Sequence, residues 1–156
     1  MKAMLLVYVL LISCNSARVK KDTKLNISIN IGQSYTIDLS KKIYTVFFLS
    51  RSPLHVKFNL TGDEAEKIKD MYFSLKLYDI GNVELKDTCL NNPKIYTYVN
   101  VKSNSIDQQI KIDESCRGFK DNYGAYRVNK FIQLVQEIIK SKEEIKDAPS
   151  SDVEYM

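Results

Sequence analysis

The chain has 156 residues, of which 44% are hydrophobic, and its 23 Lys and Arg against 19 Asp and Glu give a formal net charge of +4. This length is typical of one compact domain, and the hydrophobic content excludes wholesale disorder and collagen-like repeats. One histidine, His55, is too few for a site built from two or three histidines, and the charge is too small to indicate a nucleic-acid partner. We therefore expect neither a metal, nor a cofactor, nor nucleic acid.

An apolar run occupies residues 3–12, directly behind Lys2. It is too short to cross a bilayer, which takes about 20 apolar residues. It matches the apolar region of a secretory signal peptide, so residues 1–13 are predicted to be removed. A buried N-terminal strand or helix is the alternative.

The end of this run, Leu11-Ile12-Ser13-Cys14, resembles the bacterial lipobox, although only one lysine precedes the apolar region. The resemblance covers the first 14 residues. It implies that Cys14 carries a diacylglyceryl group, becomes the mature N-terminus and attaches the protein to a membrane, since two acyl chains anchor stably. Residues 14–24 are polar and predict a flexible lipidated tether.

The strong preference for lysine over arginine, with many Ile and Asn residues, points to an AT-rich genome. Together with the lipobox it resembles small surface lipoproteins of spirochaetes, which implies display in the cell envelope, at the outer membrane or cell surface. The alternative is cleavage by an ordinary signal peptidase, which would give a secreted eukaryotic or viral protein. In that case the sequons at Asn26 and Asn59 would carry glycans.

Alternating apolar and polar residues predict about eight short strands, and His55 falls on the polar side of one of them. Turns recur every eight to twelve residues, as in a β-sandwich or jelly roll, so we predict a mainly β domain of this kind over residues 25–147. Between the strands, Thr61 and Glu64 have capping-box spacing, which indicates one or two helical turns or a charged loop. The predicted strands span residues 25–31, 35–39, 43–49, 54–60, 71–77, 83–88, 95–101 and 106–112.

Near the C-terminus the apolar residues recur at steps of three and four, which predicts one amphipathic helix over about 126–146. Its apolar side either covers the sheet or docks on a partner or membrane. The mixed Lys and Glu opposite weigh against a membrane. Residues 148–156 are predicted to be a flexible tail.

Without Cys14, the chain retains Cys89 and Cys116. An even pair in an exported protein is a disulfide candidate, and two buried free thiols are the alternative. No C-x-x-C spacing exists, so zinc binding and thioredoxin-like chemistry are not expected.

The sequence lacks the motifs of phosphate-binding loops, zinc hydrolases and serine hydrolases. Two acidic clusters remain, in residues 63–66 and 113–114, and they would have to serve a carboxylate-dependent, carbohydrate-active enzyme. Solvated surface charges are the simpler interpretation. We therefore expect no catalysis.

Tyrosine is enriched, with 10 copies. Tyr96 and Tyr98 share the polar side of one predicted strand, and Tyr123 and Tyr126 lie at the start of the helix. Tyrosine supplies binding area at low entropic cost, so these four residues are the candidate binding face, with half-buried sheet tyrosines as the alternative. The sequence thus predicts a lipid-anchored binding module whose partner is a host or envelope protein.

Overall fold

A computed structural model describes residues 24–85, 94–113 and 123–153. Its three helices are α1 (Gly62–Ser74), α2 (Tyr123–Lys140) and α3 (Glu143–Lys146), and a 3₁₀ turn spans Leu77–Asp79. The strands are β1 (Asn26–Ile31), β2 (Tyr35–Asp38), β3 (Ile43–Val46), β4 (Leu54–Lys57), β5 (Val83–Leu85), β6 (Tyr96–Lys102) and β7 (Asp107–Asp113).

The strands form one sheet in the order β4-β3-β2-β1-β6-β7-β5. The first four make an antiparallel meander, β6 returns to pair with β1, and β7 pairs antiparallel with β6. At the far edge β5 lies parallel to β7. Strand β1 is therefore central and joins the two halves of the sheet.

One face of the sheet is apolar and buried. In the register, Ile29 lies opposite Ile37 on one side and Val99 on the other, and Val99 lies opposite Ile110. All four side chains are at most 1% exposed. Burying side chains of this size contributes roughly 1.5–3 kcal/mol each, so this inner face is the main source of stability.

Helices α1 and α2 cover the inner face. The buried side of α2 includes Val128, Phe131 and Val135, all at 0% exposure, and α1 contributes Tyr72. The rings of Tyr72 and Phe131 meet edge to face with centroids 6.0 Å apart. The apolar stripe of α2 thus belongs to the core.

The prediction of a mainly β domain with a C-terminal amphipathic helix is confirmed. The layer that faces the sheet is helical, however, whereas a sandwich or jelly roll would have a second sheet there. Alternation in sequence shows that a strand has one buried side but does not show what covers it. The predicted helix over 126–146 is α2 followed, after a break at Ser141 and Lys142, by α3.

The predicted strand over 71–77 is wrong, because these residues belong to α1 and the turn after it. The helix starts at a complete capping box: the Glu64 N–H donates to Thr61 Oγ1, and the Thr61 N–H donates to the Glu64 carboxylate. Ile68 and Tyr72, one turn apart, then point into the core. Thus the helical period outweighs the alternation that starts at Met71.

The described part of the expected flexible tail lies against β2 and the end of β3. The Ser151 N–H donates to the Tyr35 hydroxyl at 3.0 Å, and Ser151 Oγ donates to the Phe47 carbonyl at 2.7 Å. Asp152 accepts the Leu49 N–H at 2.8 Å. These bonds give residues 148–152, here called the C-terminal strap, a defined position.

The signal peptide, most of the tether, Cys14, Cys89, Cys116 and Glu114 lie outside the described residues. In the part that is described, no helix combines the length and the apolar character needed to cross a membrane.

Candidate binding surface

The second face of the sheet points away from the helices and carries polar and aromatic side chains. We call it the open sheet face. The register places one row of side chains across it, because Tyr98 lies opposite Asn30 on one side and Lys111 on the other. The open sheet face comprises Asn26, Ser28, Asn30, Thr36, Asp38, Ile43, Thr45, His55, Lys57, Glu84, Tyr96, Tyr98, Asn100, Lys102, Asp107, Gln109 and Lys111.

Tyr96 and Tyr98 lie together on this face, as the sequence predicts. Both are half-buried, and their ring centroids are 6.4 Å apart. The Lys111 ammonium lies 3.7 Å from the centroid of the Tyr96 ring, within cation–π range. Lys111, on the neighbouring strand β7, therefore holds the Tyr96 ring of this pair in place.

Lys111 is itself held by Glu84 of β5, whose carboxylate lies 3.3 Å from the ammonium nitrogen. Desolvation opposes the charged lysine, but the hydrogen bond and charge of Glu84 outweigh it and raise the pKa of Lys111. Lys111 stays protonated at neutral pH. Tyr96, Lys111 and Glu84 thus form a fixed group from three strands.

Beside this group, amide side chains line a shallow groove of about 710 Å³. Gln109 Nε2 donates to Asn100 Oδ1 at 2.8 Å, and the Gln109 N–H donates to Asn82 Oδ1 at 2.6 Å. The groove also presents Lys102 and Asp107, which lie 3.6 Å apart. It can offer a partner both hydrogen-bond donors and acceptors.

His55 lies on the polar side of β4, as predicted, but it has a partner. Its Nδ1 is 2.9 Å from Thr45 Oγ1 on the adjacent strand. It lies at the edge of the sheet beyond β3, far from the Tyr96 group in strand order.

The other two candidate tyrosines belong to a different surface. Tyr123 and Tyr126 are 73% and 47% exposed on the outer side of α2, with stacked rings 6.4 Å apart. Arg127 and Lys130 lie 5.1 and 5.0 Å from their ring centroids. Because α2 packs on the inner face, the structure does not unite this pair with Tyr96 and Tyr98.

The candidate acidic residues are placed in two structural settings. Asp63, Glu64 and Glu66 lie in the first turns of α1, where Glu64 completes the capping box and pairs with Lys142. Asp113 is buried at the end of β7, with its carboxylate 3.4 Å from the Lys94 ammonium. Among the residues with described positions, no three His, Cys, Asp or Glu side chains form a metal-binding group.

Both sequon asparagines are exposed: Asn26 opens β1, and Asn59 precedes α1. Glu144 accepts the Asn59 backbone N–H at 3.3 Å.

Lys111 and Glu84 are not predicted from the sequence as members of the candidate site. Alternation in β7 puts Lys111 on a polar side, but only the strand register puts it beside Tyr96 and Tyr98. Comparison of the chain with family models, curated proteins and solved structures finds no match.

Proposed function

We propose that this chain is a lipid-anchored protein of the cell envelope or cell surface that binds a protein partner, without catalysis, through the open sheet face. The observation that carries the binding proposal is the pair Tyr96 and Tyr98, fixed by Lys111 and Glu84 in the middle of a polar face.

The composition of this face favours a protein partner. Tyrosine contributes a large, rigid contact area with few rotatable bonds, and Asn and Ser side chains adapt their hydrogen bonds to a partner. The Tyr96 ring is already held by Lys111, so little of its side-chain entropy is lost when a partner binds. Tyrosine is enriched among hot-spot residues, which lie near the centre of an interface with contacts around them that exclude water.

The anchor part of the proposal rests on the lipobox resemblance at Cys14. A tether over residues 14–24 would reach at most about 40 Å when extended. It would enter the domain at β1, the central strand. A tether of this length would allow the domain to turn its open sheet face toward a partner in the membrane or outside it.

The binding proposal is tested by comparing two double variants of the full chain, immobilised and exposed to solubilised envelope or host membranes. Tyr96→Ala with Tyr98→Ala removes the aromatic pair. Tyr123→Ala with Tyr126→Ala removes the same ring area from α2 and serves as the matched control. The proposal is supported if the wild type and the control variant retain a protein that the Tyr96→Ala, Tyr98→Ala variant does not retain. The melting temperature of that variant must be unchanged. Equal retention by both variants contradicts the proposal.

The anchor is tested by mass spectrometry of the native N-terminus and by Cys14→Ala. A lipid adduct on Cys14, and release of the variant from membranes, support it. An unmodified N-terminus downstream of Cys14, with glycans at Asn26 or Asn59, supports the secreted alternative. Loss of a measured glycosidase activity in Asp63→Asn or Glu64→Gln, with the fold intact, would support the enzyme alternative.

A further inference from the structure

A cavity of about 290 Å³ lies between the helical layer and the first half of the sheet. We call it the inner cavity. It is on the opposite side of the sheet from Tyr96 and Tyr98, so it plays no part in the binding proposed above. Its walls are Ile31, Tyr35, Ile37 and Tyr44 from the sheet, Gln136, Ile139 and Lys140 from α2, Ile145 and Lys146 from α3, and Ala148, Pro149 and Ser150 from the C-terminal strap.

The lining of the cavity has an apolar part and a polar part. Four isoleucines, one each from β1, β2, α2 and α3, contribute to the apolar part, where the rings of Tyr35 and Tyr44 stack with centroids 5.7 Å apart. A small volume with such a mixed lining favours a compact molecule that has an apolar part and a polar part. The volume is at the lower end of the range for small-molecule sites, which excludes a whole phospholipid.

The polar part of the lining includes two exposed lysines beside the neutral Gln136 and Ser150. Lys140 and Lys146 both line the cavity, and none of its lining residues is acidic. Lys146 pairs with Glu143, whereas Lys140 pairs with no carboxylate of residues 24–85, 94–113 or 123–153. Gln136 lies one helical turn before Lys140, so an ammonium and an amide flank the same side of the cavity.

The C-terminal strap closes one side of the cavity through Ala148, Pro149 and Ser150. It is fixed just beyond the cavity, where Ser151 bonds to Tyr35 and to the Phe47 carbonyl. Tyr35 therefore both lines the cavity and holds its cover.

We propose that the inner cavity binds a medium-chain fatty acid. The carboxylate would accept hydrogen bonds from Lys140 and Gln136, and the alkyl chain would lie among the isoleucines and against the Tyr35–Tyr44 stack. A non-esterified fatty acid is the ligand class for two reasons. The isoleucine and tyrosine walls enclose a volume too small for a larger lipid, and Lys140 forms no ion pair within the described part of the chain.

The proposal is tested by calorimetric titration of the purified full chain with sodium decanoate, below its micelle concentration. Decanol, which is neutral, and decyltrimethylammonium, which is cationic, have the same length of alkyl chain and serve as comparison ligands. We expect decanoate to bind tightest and the cation weakest. Lys140→Gln should weaken decanoate binding about fivefold and leave decanol unchanged, since a charge-assisted bond is lost.

Two further variants make the outcome decisive. Ala148→Phe places a ring into the cavity from the strap and should abolish decanoate binding without lowering the melting temperature. Lys67→Gln removes an exposed charge on α1 outside the cavity and should change nothing. Absence of decanoate binding, equal binding of all three ligands, or binding retained in Ala148→Phe would overturn the proposal.

Discussion

The hydroxyl of Tyr72 on α1 donates a hydrogen bond of 2.8 Å to Oε1 of Gln108 on β7, in the interior between the helices and the sheet. Gln108 Nε2 donates in turn to the carbonyl oxygens of Leu77 and Gly81, at 2.8 and 3.2 Å. Gln108 is 4% exposed and Tyr72 is fully buried. One glutamine therefore ties α1 and the segment that follows it to β7.

Replacing Gln108 should be strongly destabilising. We expect Gln108→Leu to lower the free energy of unfolding by about 2–4 kcal/mol, because the buried Tyr72 hydroxyl loses its acceptor and the carbonyls of Leu77 and Gly81 each lose a donor. Tyr72→Phe should cost about 1 kcal/mol. Urea unfolding measures both, with Gln109→Leu, on the exposed face, as the control expected within about 0.5 kcal/mol of wild type. An equal effect at positions 108 and 109 would contradict this role.

The structure of the same region is only partly predictable from the sequence. The capping-box spacing of Thr61 and Glu64 allows either a short helix or a charged loop, and the structure has a helix there. The alternation from Met71 conceals how far this helix extends. These residues show both the two-residue period of a strand and the period of a helix. Ile68 and Tyr72 are buried on the same side of a helix, which favours the helix. Gln108 interrupts the apolar side of β7, and its partners come from distant segments that sequence alone does not bring together.

The ion pair between Glu64 and Lys142 joins α1 to the start of α3 and should make stability depend on pH. The Lys142 hydrogen bond, reinforced by that of Thr61, lowers the pKa of Glu64 below its ordinary 4.5. A lowered pKa in the folded state contributes stability that is present above pH 4.5 and lost as the pH falls through the folded pKa.

We therefore expect Lys142→Gln to lower the free energy of unfolding by about 1 kcal/mol at pH 7. This difference from wild type should shrink as the pH falls from 5 toward 2. Lys41→Gln removes the pair with Asp38, in which the lysine side chain is 74% exposed, and should have little effect at any pH. A Lys142→Gln effect that persists at low pH would show that Glu64 is not the group involved.

The C-terminal strap should show slow hydrogen exchange at one amide. The Ser151 N–H donates to the Tyr35 hydroxyl, so Tyr35→Phe removes its acceptor while leaving the ring in place. We expect the Ser151 amide to exchange at least several-fold faster in Tyr35→Phe, as measured by amide exchange in NMR. Amides of β6, which lies away from the strap, serve as the internal reference. Unchanged exchange at Ser151 would mean that the strap is held without this bond.

The binding surface was predictable only in part. The period-two alternation of β6 places Tyr96 and Tyr98 on one face, and the structure confirms that they share it. Their support by Lys111 and Glu84 depends on the parallel pairing of β5 with β7, a contact between distant segments. The inner cavity is lined by residues of β1, β2, β3, α2, α3 and the C-terminal strap, so no local sequence pattern marks it.

Tyr44, which lines the inner cavity, should make the protein less stable at high pH. Burial, with a smaller contribution from Tyr35, raises the pKa of Tyr44 from 10.0 to about 12. A raised pKa in the folded state means that the stability is complete below pH 10 and is lost as the pH rises toward 12. Between pH 9 and 11 the free energy of unfolding of the wild type falls as Tyr44 ionises in the unfolded chain. We expect this fall to be about 1 kcal/mol smaller in Tyr44→Phe, as measured by urea unfolding. Tyr123→Phe, at a ring that is 73% exposed, should leave that loss unchanged. Identical pH profiles for wild type and Tyr44→Phe would show that the Tyr44 hydroxyl titrates as it does in the unfolded chain.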